Sequence, residues 1–261
     1  MNLNLNGKRA LVCGGSKGIG LAAATAIAEL GAEIVLVARN EAVLKERINE
    51  LPSPNGVVHS YLIADFNDRN HLKSVVEDLV SEHPVQILIN NTGGPAAGPV
   101  QKAQEDEFLL AFGQHVLCSR ILVNAVVQGM RDSGYGRIIN VISTSVKQPI
   151  PGLGVSNTIR GAMGNWSKTL AGELAPDQIT VNNVLPGATA TDRLSEILSG
   201  RATKSGNSVE EVAAAWQATI PMRRFADPSE VGNAIAFLAS PAASYITGTN
   251  VVVDGGRTGC L

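Results

Sequence analysis

A glycine-rich turn near the start of the chain has the residue types and spacing of a phosphate-binding loop. It follows the apolar run Arg9–Cys13 and precedes an alanine-rich stretch of helical period. Glycines allow the backbone to turn sharply and to approach a pyrophosphate closely, and the N-terminus of the following helix offers N–H donors and a positive dipole. The turn therefore predicts a dinucleotide site that includes Gly14, Ser16, Lys17, Gly18, Ile19 and Gly20.

Two other kinds of loop share part of this pattern. Gly14-x-Ser16-x-Gly18 also matches the nucleophile elbow of serine hydrolases, but that fold places strands and an oxyanion loop before its elbow. Only thirteen residues precede Gly14. An NTPase phosphate loop would end in Gly-Lys-Ser/Thr, whereas Gly18 is followed by Ile19, Gly20 and Leu21. The dinucleotide interpretation is favoured.

The end of the second apolar run bears on the choice between NAD and NADP. An NAD site usually has an acidic residue here for the ribose 2′-hydroxyl. Ala38 supplies no carboxylate, while Arg39 and Lys17 supply two cations that could neutralise a 2′-phosphate. The alternative is a solvated Arg39 that opens the next helix. We expect NADP(H), with Arg39 and Asn40 among its contacts.

Short apolar runs alternate with longer stretches of helical period. The predicted strands are Arg9–Cys13, Glu33–Ala38, Val57–Ile63, Gln86–Asn90, Arg137–Ile142, Thr180–Leu185 and Asn250–Val253. The predicted helices are Gly18–Leu30, Ala42–Leu51, His71–Glu82, Glu105–Met130, Leu153–Leu174 and Pro228–Ala239. This alternation predicts an α/β fold with a mostly parallel sheet covered by helices on both faces.

No linker divides the chain, so we expect one domain over residues 1–261. Residues from about 191 to 220 break the strand–helix rhythm, with Gly200, Gly206 and scattered apolar residues. This stretch is interpreted as a helical insertion over a substrate cleft. The alternative is a plain surface excursion.

Composition excludes several classes of function. The formal net charge is -2 and no long basic run is present, which argues against nucleic acid and anionic membranes as partners. Three cysteines and four histidines show no ligand-like spacing, so we expect neither disulfides nor a metal. No apolar run approaches the ~20 residues of a membrane span, and no signal peptide is evident. A cytoplasmic location is expected.

Several motifs resemble those of the short-chain dehydrogenase/reductase superfamily, most closely its 3-oxoacyl carrier-protein reductase group. The turn from Cys13 to Gly20 resembles TGxxxGIG, with Cys in place of Thr. The run from Asn90 to Gly93 resembles NNAG, and Pro186 to Thr191 resembles PGxxxT. The resemblance extends to the segment that ends in Asp254-Gly255-Gly256 and spans nearly the whole chain.

The resemblance implies a Rossmann-type doubly wound sheet of seven strands and a homotetramer or homodimer, which would assemble through the helices around Glu105–Met130 and Leu153–Leu174. It also implies further cofactor contacts. These are Asp65, Phe66, Asn91, Thr92, Gly93, Arg160, Pro186, Gly187, Thr189 and Thr191.

The family's hydride chemistry uses an Asn, a Ser and a Tyr-x-x-x-Lys pair, and the chain contains no Tyr-x-x-x-Lys. The residues four places after Tyr61, Tyr135 and Tyr245 are Asp, Ile and Thr. Counting back from the segment Trp166–Ala171 places Ser156 at the Tyr and Arg160 at the Lys. The family Ser is present as Ser143, and His115 falls at the Asn.

These replacements change the available acid chemistry. An aliphatic hydroxyl is a much weaker acid than a phenol, whose pKa is about 10, and the Ser156 side chain is much shorter than a Tyr. Arg160 can donate to ribose hydroxyls but cannot relay protons as a lysine can. His115 is a candidate general acid, since histidine titrates near neutrality. The alternative is a helix histidine satisfied by backbone carbonyls.

We therefore expect an NADPH-dependent oxidoreductase that acts on a small carbonyl-bearing molecule, with slow turnover of ordinary ketones. Two alternatives stay open. One is a non-catalytic NADPH-binding sensor or assembly protein. The other is a reductase of another substrate class, such as an activated double bond.

Overall fold

The computed structural model describes residues 1–260 and contains a seven-stranded parallel sheet. The strands are β1 (Arg9–Cys13), β2 (Glu33–Ala38), β3 (Ser60–Ile63), β4 (Ile87–Asn90), β5 (Gly136–Val141), β6 (Ile179–Pro186) and β7 (Asn250–Val253). Their order is β3-β2-β1-β4-β5-β6-β7, and every pair is parallel. The central strands are buried throughout, as near-continuous Val, Ile and Leu runs require. The predicted doubly wound fold is confirmed.

The strand order reverses direction at β1, which pairs with β2 on one side and β4 on the other. In such sheets the crevice outside the carboxyl ends of the strands at this point is where ligands bind. The glycine turn follows β1, and Asn91 follows β4. The topology therefore places both segments at this crevice.

Helices cover both faces of the sheet. They are α1 (Gly18–Glu29), α2 (Glu41–Glu50), α3 (Arg69–Glu82), α4 (Glu105–Phe112), α5 (Cys118–Asp132), α6 (Gly154–Leu174), α7 (Asp192–Ser205), α8 (Val209–Ala218) and α9 (Pro228–Ala239). One hydrophobic cluster joins α1, α2 and α9 to the sheet, and a second joins α3, α5 and α6 to its other face. This division is the one expected when βαβ units wind in opposite directions from the centre.

Two predicted elements differ from those in the structure by more than one or two residues at an end. The helix predicted over Glu105–Met130 is present as one helical stretch, Glu105–Asp132, but it contains a π-helical segment, Gly113–Leu117, between α4 and α5. Wider i→i+5 bonds accommodate an extra residue there, and such bulges have no simple sequence signature. The third strand begins at Ser60, since its pairing with β2 starts at Val35, and Val58 is exposed.

Residues 191–220 form two helices joined by a short turn. Gly206 ends α7 in the left-handed region at φ 77°, and Ser208 begins α8 with a capping box to Glu211. Leu194 and Leu198 are buried, so α7 packs its apolar side inward.

One stretch, Glu105–Asp132, is long and apolar enough to pass a length and hydropathy test for a membrane span. This finding differs from the expectation that no stretch of the chain is long and apolar enough to span a membrane. Half of the apolar window is buried within the fold, and α5 packs Leu122, Val126 and Met130 against the sheet. It is a core helix of the α/β fold.

Candidate functional site

The glycine turn forms a cradle that side chains would fill. Gly14 and Gly18 lie in the left-handed region, at φ +60° and +57°. A Cβ at Gly14 would lie 2.7 Å from Asn91 Nδ2, and one at Gly20 would collide with the Gly14 carbonyl oxygen. Helix α1 begins at Gly18 without a side-chain cap and without an acid in its first turn. Its N–H groups are left for an anion, as a pyrophosphate site requires.

Asn91 ties the turn to the next strand. Its Nδ2 donates to the Cys13 carbonyl at 3.3 Å, which joins the carboxyl ends of β1 and β4. Ile19 packs against the core and anchors the first turn of α1, while Ser16 is half-buried in the loop. The structure thus brings together the predicted residues of this part of the site.

The two predicted phosphate-binding cations lie in different surroundings. Lys17 Nζ pairs with Asp192 Oδ2 at 2.7 Å, in the first turn of α7. Arg39 is exposed, and no acidic partner pairs with it among residues 1–260. Asn40 caps α2, because its Oδ1 accepts from the Val43 N–H at 3.2 Å. Asp192 was missed by sequence reasoning.

The carboxyl end of β3 carries the predicted adenine contacts. Asp65 Oδ1 accepts from both the backbone N–H and Nδ2 of Asn67. The Phe66 carbonyl accepts from Cys118 Sγ at 3.3 Å, and its ring packs against the cluster beneath α3 and α5. Local hydrogen bonds therefore orient the Asp65 carboxylate at the sheet edge.

The segment after β6 closes the other side of the crevice. The Gly187 N–H donates to the Val253 carbonyl at 2.9 Å, and a Cβ on Gly187 would lie 2.7 Å from Asp254 Cβ. Thr189 Oγ1 donates to the Gly187 carbonyl. Thr191 reaches the glycine turn, since its Cγ2 lies 3.2 Å from the position of a Cβ at Gly18. The segment that starts at Pro186 thus meets the turn after β1.

His115 is buried within the π-helical segment. Its Nδ1 lies 2.5 Å from Thr92 Oγ1, and its Nε2 has no hydrogen-bond partner among residues 1–260. Burial, followed by the positive charge of Arg160, lowers the pKa of His115 to about 3 against a small opposing effect from the Gly93 backbone. The side chain is therefore a neutral imidazole at pH 7, which differs from the expectation of titration near neutrality.

Arg160 is a buried guanidinium without a carboxylate partner among residues 1–260. Its Nη1 donates to the Val141 carbonyl at 2.9 Å, and its Nε is buried without a partner. Its Nη2 lies 3.9 Å from the position of a Cβ at Gly94, next to the loop after β4. Burial lowers the pKa of Arg160 to about 10, so the group stays charged at pH 7.

The two serines occupy neighbouring segments. Ser143 follows β5, and its Oγ accepts from the Ser145 N–H at 3.1 Å. Ser156 is half-buried in the first turn of α6, four residues before Arg160. Residues at this spacing lie on one face of a helix. Ser156 and Arg160 therefore project to the same side of α6.

A buried set of amide hydrogen bonds fixes α6 against the sheet. Asn90 Nδ2 donates to Asn140 Oδ1 at 2.8 Å, and Asn140 Nδ2 donates to Ser167 Oγ at 2.9 Å. Buried amides are costly when unpaired, so this set specifies the position of the helix. Sequence reasoning missed it, because two asparagines on separate strands carry no local signal.

This arrangement provides a fixed positive charge, hydroxyl groups and a neutral imidazole. It can bind hydroxyl groups and stabilise negative charge on an oxygen, while its aliphatic hydroxyls are weak acids. No three His, Cys, Asp or Glu side chains in the described part of the chain are grouped as metal ligands.

Comparisons with known proteins place the chain among nucleotide-dependent reductases. A family model described as Enoyl-(Acyl carrier protein) reductase matches residues 14–258. The chain is 34% identical over 257 residues to a 3-oxoacyl-[acyl-carrier-protein] reductase of Vibrio cholerae, covering 97% of this chain and 98% of the relative. It is 32% identical to a cyclopentanol dehydrogenase of Comamonas testosteroni, covering 97% and 98%.

The fold is shared with solved structures of such enzymes. The L-sorbose reductase of Gluconobacter frateurii, solved with NADPH and L-sorbose, superimposes with a TM-score of 0.93 at 32% identity, covering 100% of both chains. The fold of the chain is thus shared with an enzyme whose structure was solved with NADPH bound.

Proposed function

This chain belongs to the short-chain dehydrogenase/reductase family, and we propose on that basis that it is an NADPH-dependent reductase of a small carbonyl compound with an atypical catalytic site. The observation that carries the proposal is the buried guanidinium of Arg160, which has no carboxylate partner among residues 1–260 and lies on the α6 face that also bears Ser156. A reductase site needs a cation near the substrate oxygen, and this one is held in a low-dielectric setting.

The chemistry of the residues fits NADPH. The glycine cradle and the uncapped α1 would hold the pyrophosphate, and Lys17 with Arg39 would neutralise the 2′-phosphate. The remaining proposed contacts are Ser16, Asn40, Asp65, Phe66, Asn91, Thr92, Gly93, Pro186, Gly187, Thr189 and Thr191. When bound, NADPH supplies a hydride.

The catalytic residues we propose are Ser143, Ser156 and Arg160, with His115 as a positioning residue. Ser156 and Arg160 take the family's Tyr and Lys positions, so Arg160 would hold ribose hydroxyls and stabilise negative charge on the substrate oxygen. The proton then comes from a serine hydroxyl or from water. His115 orients Thr92 as a neutral imidazole and does not act as an imidazolium acid, given its low pKa.

One alternative activity is favoured by the same cation. Reduction of a double bond conjugated to a carbonyl places negative charge on the carbonyl oxygen, and the acid need not lie at the Ser156 position. Arg160 would stabilise that charge. A non-catalytic NADPH-binding sensor or assembly protein is the remaining alternative, and the test below separates it from both reductase activities.

We propose a single domain over residues 1–261, with α7 and α8 as an insertion over the substrate cleft, and a cytoplasmic location.

We also propose assembly into a homotetramer or homodimer. Leu109, Leu110 and Phe112 are exposed on α4, which is consistent with an interface there. The partner in catalysis is a small molecule, not a nucleic acid or a membrane.

The test is oxidation of NADPH in a single turnover, with the native protein in excess and either a ketone or an enone added. The Arg160→Gln variant serves as the comparison. NADPH that binds but is oxidised by neither substrate class would favour the non-catalytic function.

A further inference from the structure

Trp216 of α8 lies beneath two arginines that come from different parts of the chain. The Arg201 guanidinium carbon is 4.1 Å from the indole centroid, and that of Arg257 is 5.9 Å away. Phe225 packs edge-on against the same ring at 5.8 Å. The indole of α8 thus contacts one arginine from α7 and one from the segment after β7. We call Arg201 and Arg257 the arginine pair.

The arginine pair has no acidic partner among residues 1–260, whereas two neighbouring arginines do. Arg193 pairs with Glu196, and Arg224 pairs with Glu230. Burial and the positive charge of Arg257 lower the pKa of Arg201, so the two cations repel each other in a partly desolvated place. The Trp216 Nε1–H is also buried without an acceptor.

The segment that carries Arg257 contacts the loop that follows Ser143. The segment after β7 packs on the end of the insertion, since a Cβ at Gly255 would lie 2.9 Å from Ile220 Cγ2. Two residues beyond Arg257, the Gly259 N–H donates to Gln148 Oε1 at 3.2 Å. Gln148 follows Ser143 by five residues. Along the chain, Arg257 therefore lies between a residue that packs on the insertion and a residue that contacts the loop after Ser143.

We propose that the arginine pair is a binding subsite for an anionic group, a carboxylate or a phosphate ester, on the substrate of this enzyme. Two guanidinium groups on one indole ring can bind such groups through charge-assisted, bidentate hydrogen bonds. The bound anion removes the repulsion between Arg201 and Arg257. The substrate is accordingly an oxo acid or a phosphorylated carbonyl compound, an assignment that rests on the proposed reductase function.

The competing explanation is structural: the arginines only pack on the indole and stabilise α7 and α8. Each arginine lies over the Trp216 ring, but the second is the more distant, at 5.9 Å, and its positive charge repels the first. Packing alone predicts a loss of thermal stability in Arg201→Gln and no dependence of ligand binding on charge. The subsite predicts weaker binding of anions specifically.

Calorimetry with three simple probes distinguishes these explanations without using turnover. Hexanoate, hexyl phosphate and hexanol are titrated into the full chain, with and without NADPH. We expect one or both anions to bind saturably and hexanol to bind at least about tenfold more weakly. Equal binding of hexanol and the anions, or no binding of any probe, would overturn the proposal. Binding of only one anion identifies the carboxylate or the phosphate as the group recognised.

Variants locate the binding. Arg201→Gln and Arg257→Gln should each weaken anion binding about tenfold or more. Lys204→Gln removes an exposed charge from the same helix and should leave it unchanged. An equal loss of anion affinity in all three variants would show that overall positive charge, and not the arginine pair, determines the binding, and would contradict the proposal. If NADPH does not bind, the proposed reductase function is contradicted. The anion titration of the chain without NADPH would still test the subsite by itself.

Fluorescence gives an independent check on location. The chain has two tryptophans, so Trp166→Phe leaves Trp216 as the single reporter. Titration with the anion that binds should change its emission with the affinity measured by calorimetry. An anion that binds without altering Trp216 emission would place the binding elsewhere and overturn the assignment.

Discussion

The Nζ atom of Lys17 lies 2.7 Å from Oδ2 of Asp192, so an ion pair joins the glycine turn to the first turn of α7. The hydrogen bond raises the pKa of Lys17 and lowers that of Asp192, and both side chains stay charged at neutral pH. The cation that we assign to the 2′-phosphate therefore has a carboxylate partner in this structure. A phosphate and Asp192 would compete for Lys17.

This competition predicts that Asp192→Asn binds NADPH about threefold more tightly than the native chain, because exposed ion pairs are worth under ~1 kcal/mol. NADH affinity should not change. Calorimetry with both cofactors measures the two affinities. Glu210→Gln removes an exposed acid from α8 and serves as the control. An equal gain for NADH would show that the carboxylate acts on the cofactor generally and not on its 2′-phosphate.

The preference for NADPH should depend on Arg39. Its replacement in Arg39→Asp places a negative charge beside the 2′-phosphate, so the preference for NADPH over NADH should fall by on the order of tenfold or more. Lys204→Asp reverses a charge far along α7 and is the matched control. Equal affinities of the native chain for the two cofactors, or an unchanged ratio in Arg39→Asp, would refute the assignment.

The buried imidazole of His115 predicts a pH dependence of stability. Its pKa falls from 6.5 to about 3 on folding, so between these values the unfolded chain holds a proton that the folded chain lacks. Its contribution to stability is thus fully present above about pH 6.5 and is lost as the pH falls toward 3. The loss from this group between pH 7 and pH 5 is about 2 kcal/mol.

Urea unfolding at pH 7 and pH 5 measures this effect. The native chain should lose about 2 kcal/mol more than His115→Asn over that interval. The exposed His71 provides the matched control, and His71→Asn should behave like the native chain. An identical loss in the native chain and in His115→Asn would mean that the histidine is not desolvated.

Much of the fold was predictable because buried parallel strands have a strong sequence pattern. The runs that form β1 and β2 were identified to the residue, since uninterrupted apolar runs end at glycine or polar residues. The predicted C-terminal end of α6 also agrees with the structure. The start of β3 was not, because Val57 and Val58 fit a strand by type and only the pairing with β2 decides where it begins.

The site was predictable where it depends on local sequence. The glycine turn needs positive φ and close approach, and only glycine satisfies both at Gly14. The Lys17–Asp192 pair and the contact of His115 with Thr92 were not predictable, since they join residues that are distant along the chain. The two arginines at Trp216 were missed for the same reason.

Restoring the family's acid should require two changes together. In Ser156→Tyr alone, the phenol keeps a high pKa because no lysine lowers it. In Arg160→Lys alone, no phenol is present whose pKa the lysine could lower. Ser156→Tyr with Arg160→Lys should therefore raise ketone reduction by at least about tenfold, with little gain from either change alone. His115→Asn is a third change if the imidazole crowds the site. The measurement is NADPH oxidation, with folding and cofactor affinity checked for every variant. Variants that fold and bind NADPH without a gain would contradict our placement of Ser156 and Arg160.

The most direct test of the proposed reductase is single-turnover oxidation of NADPH by the native chain in excess over the cofactor. We expect oxidation above the protein-free rate with a ketone or an enone, at well below the ~10 per second typical of enzymes. The Arg160→Gln variant should oxidise NADPH on the order of a hundredfold more slowly. A thermal unfolding measurement checks that this variant is folded. Bound NADPH that no ketone or enone oxidises would contradict a reductase function and leave a non-catalytic NADPH-binding protein.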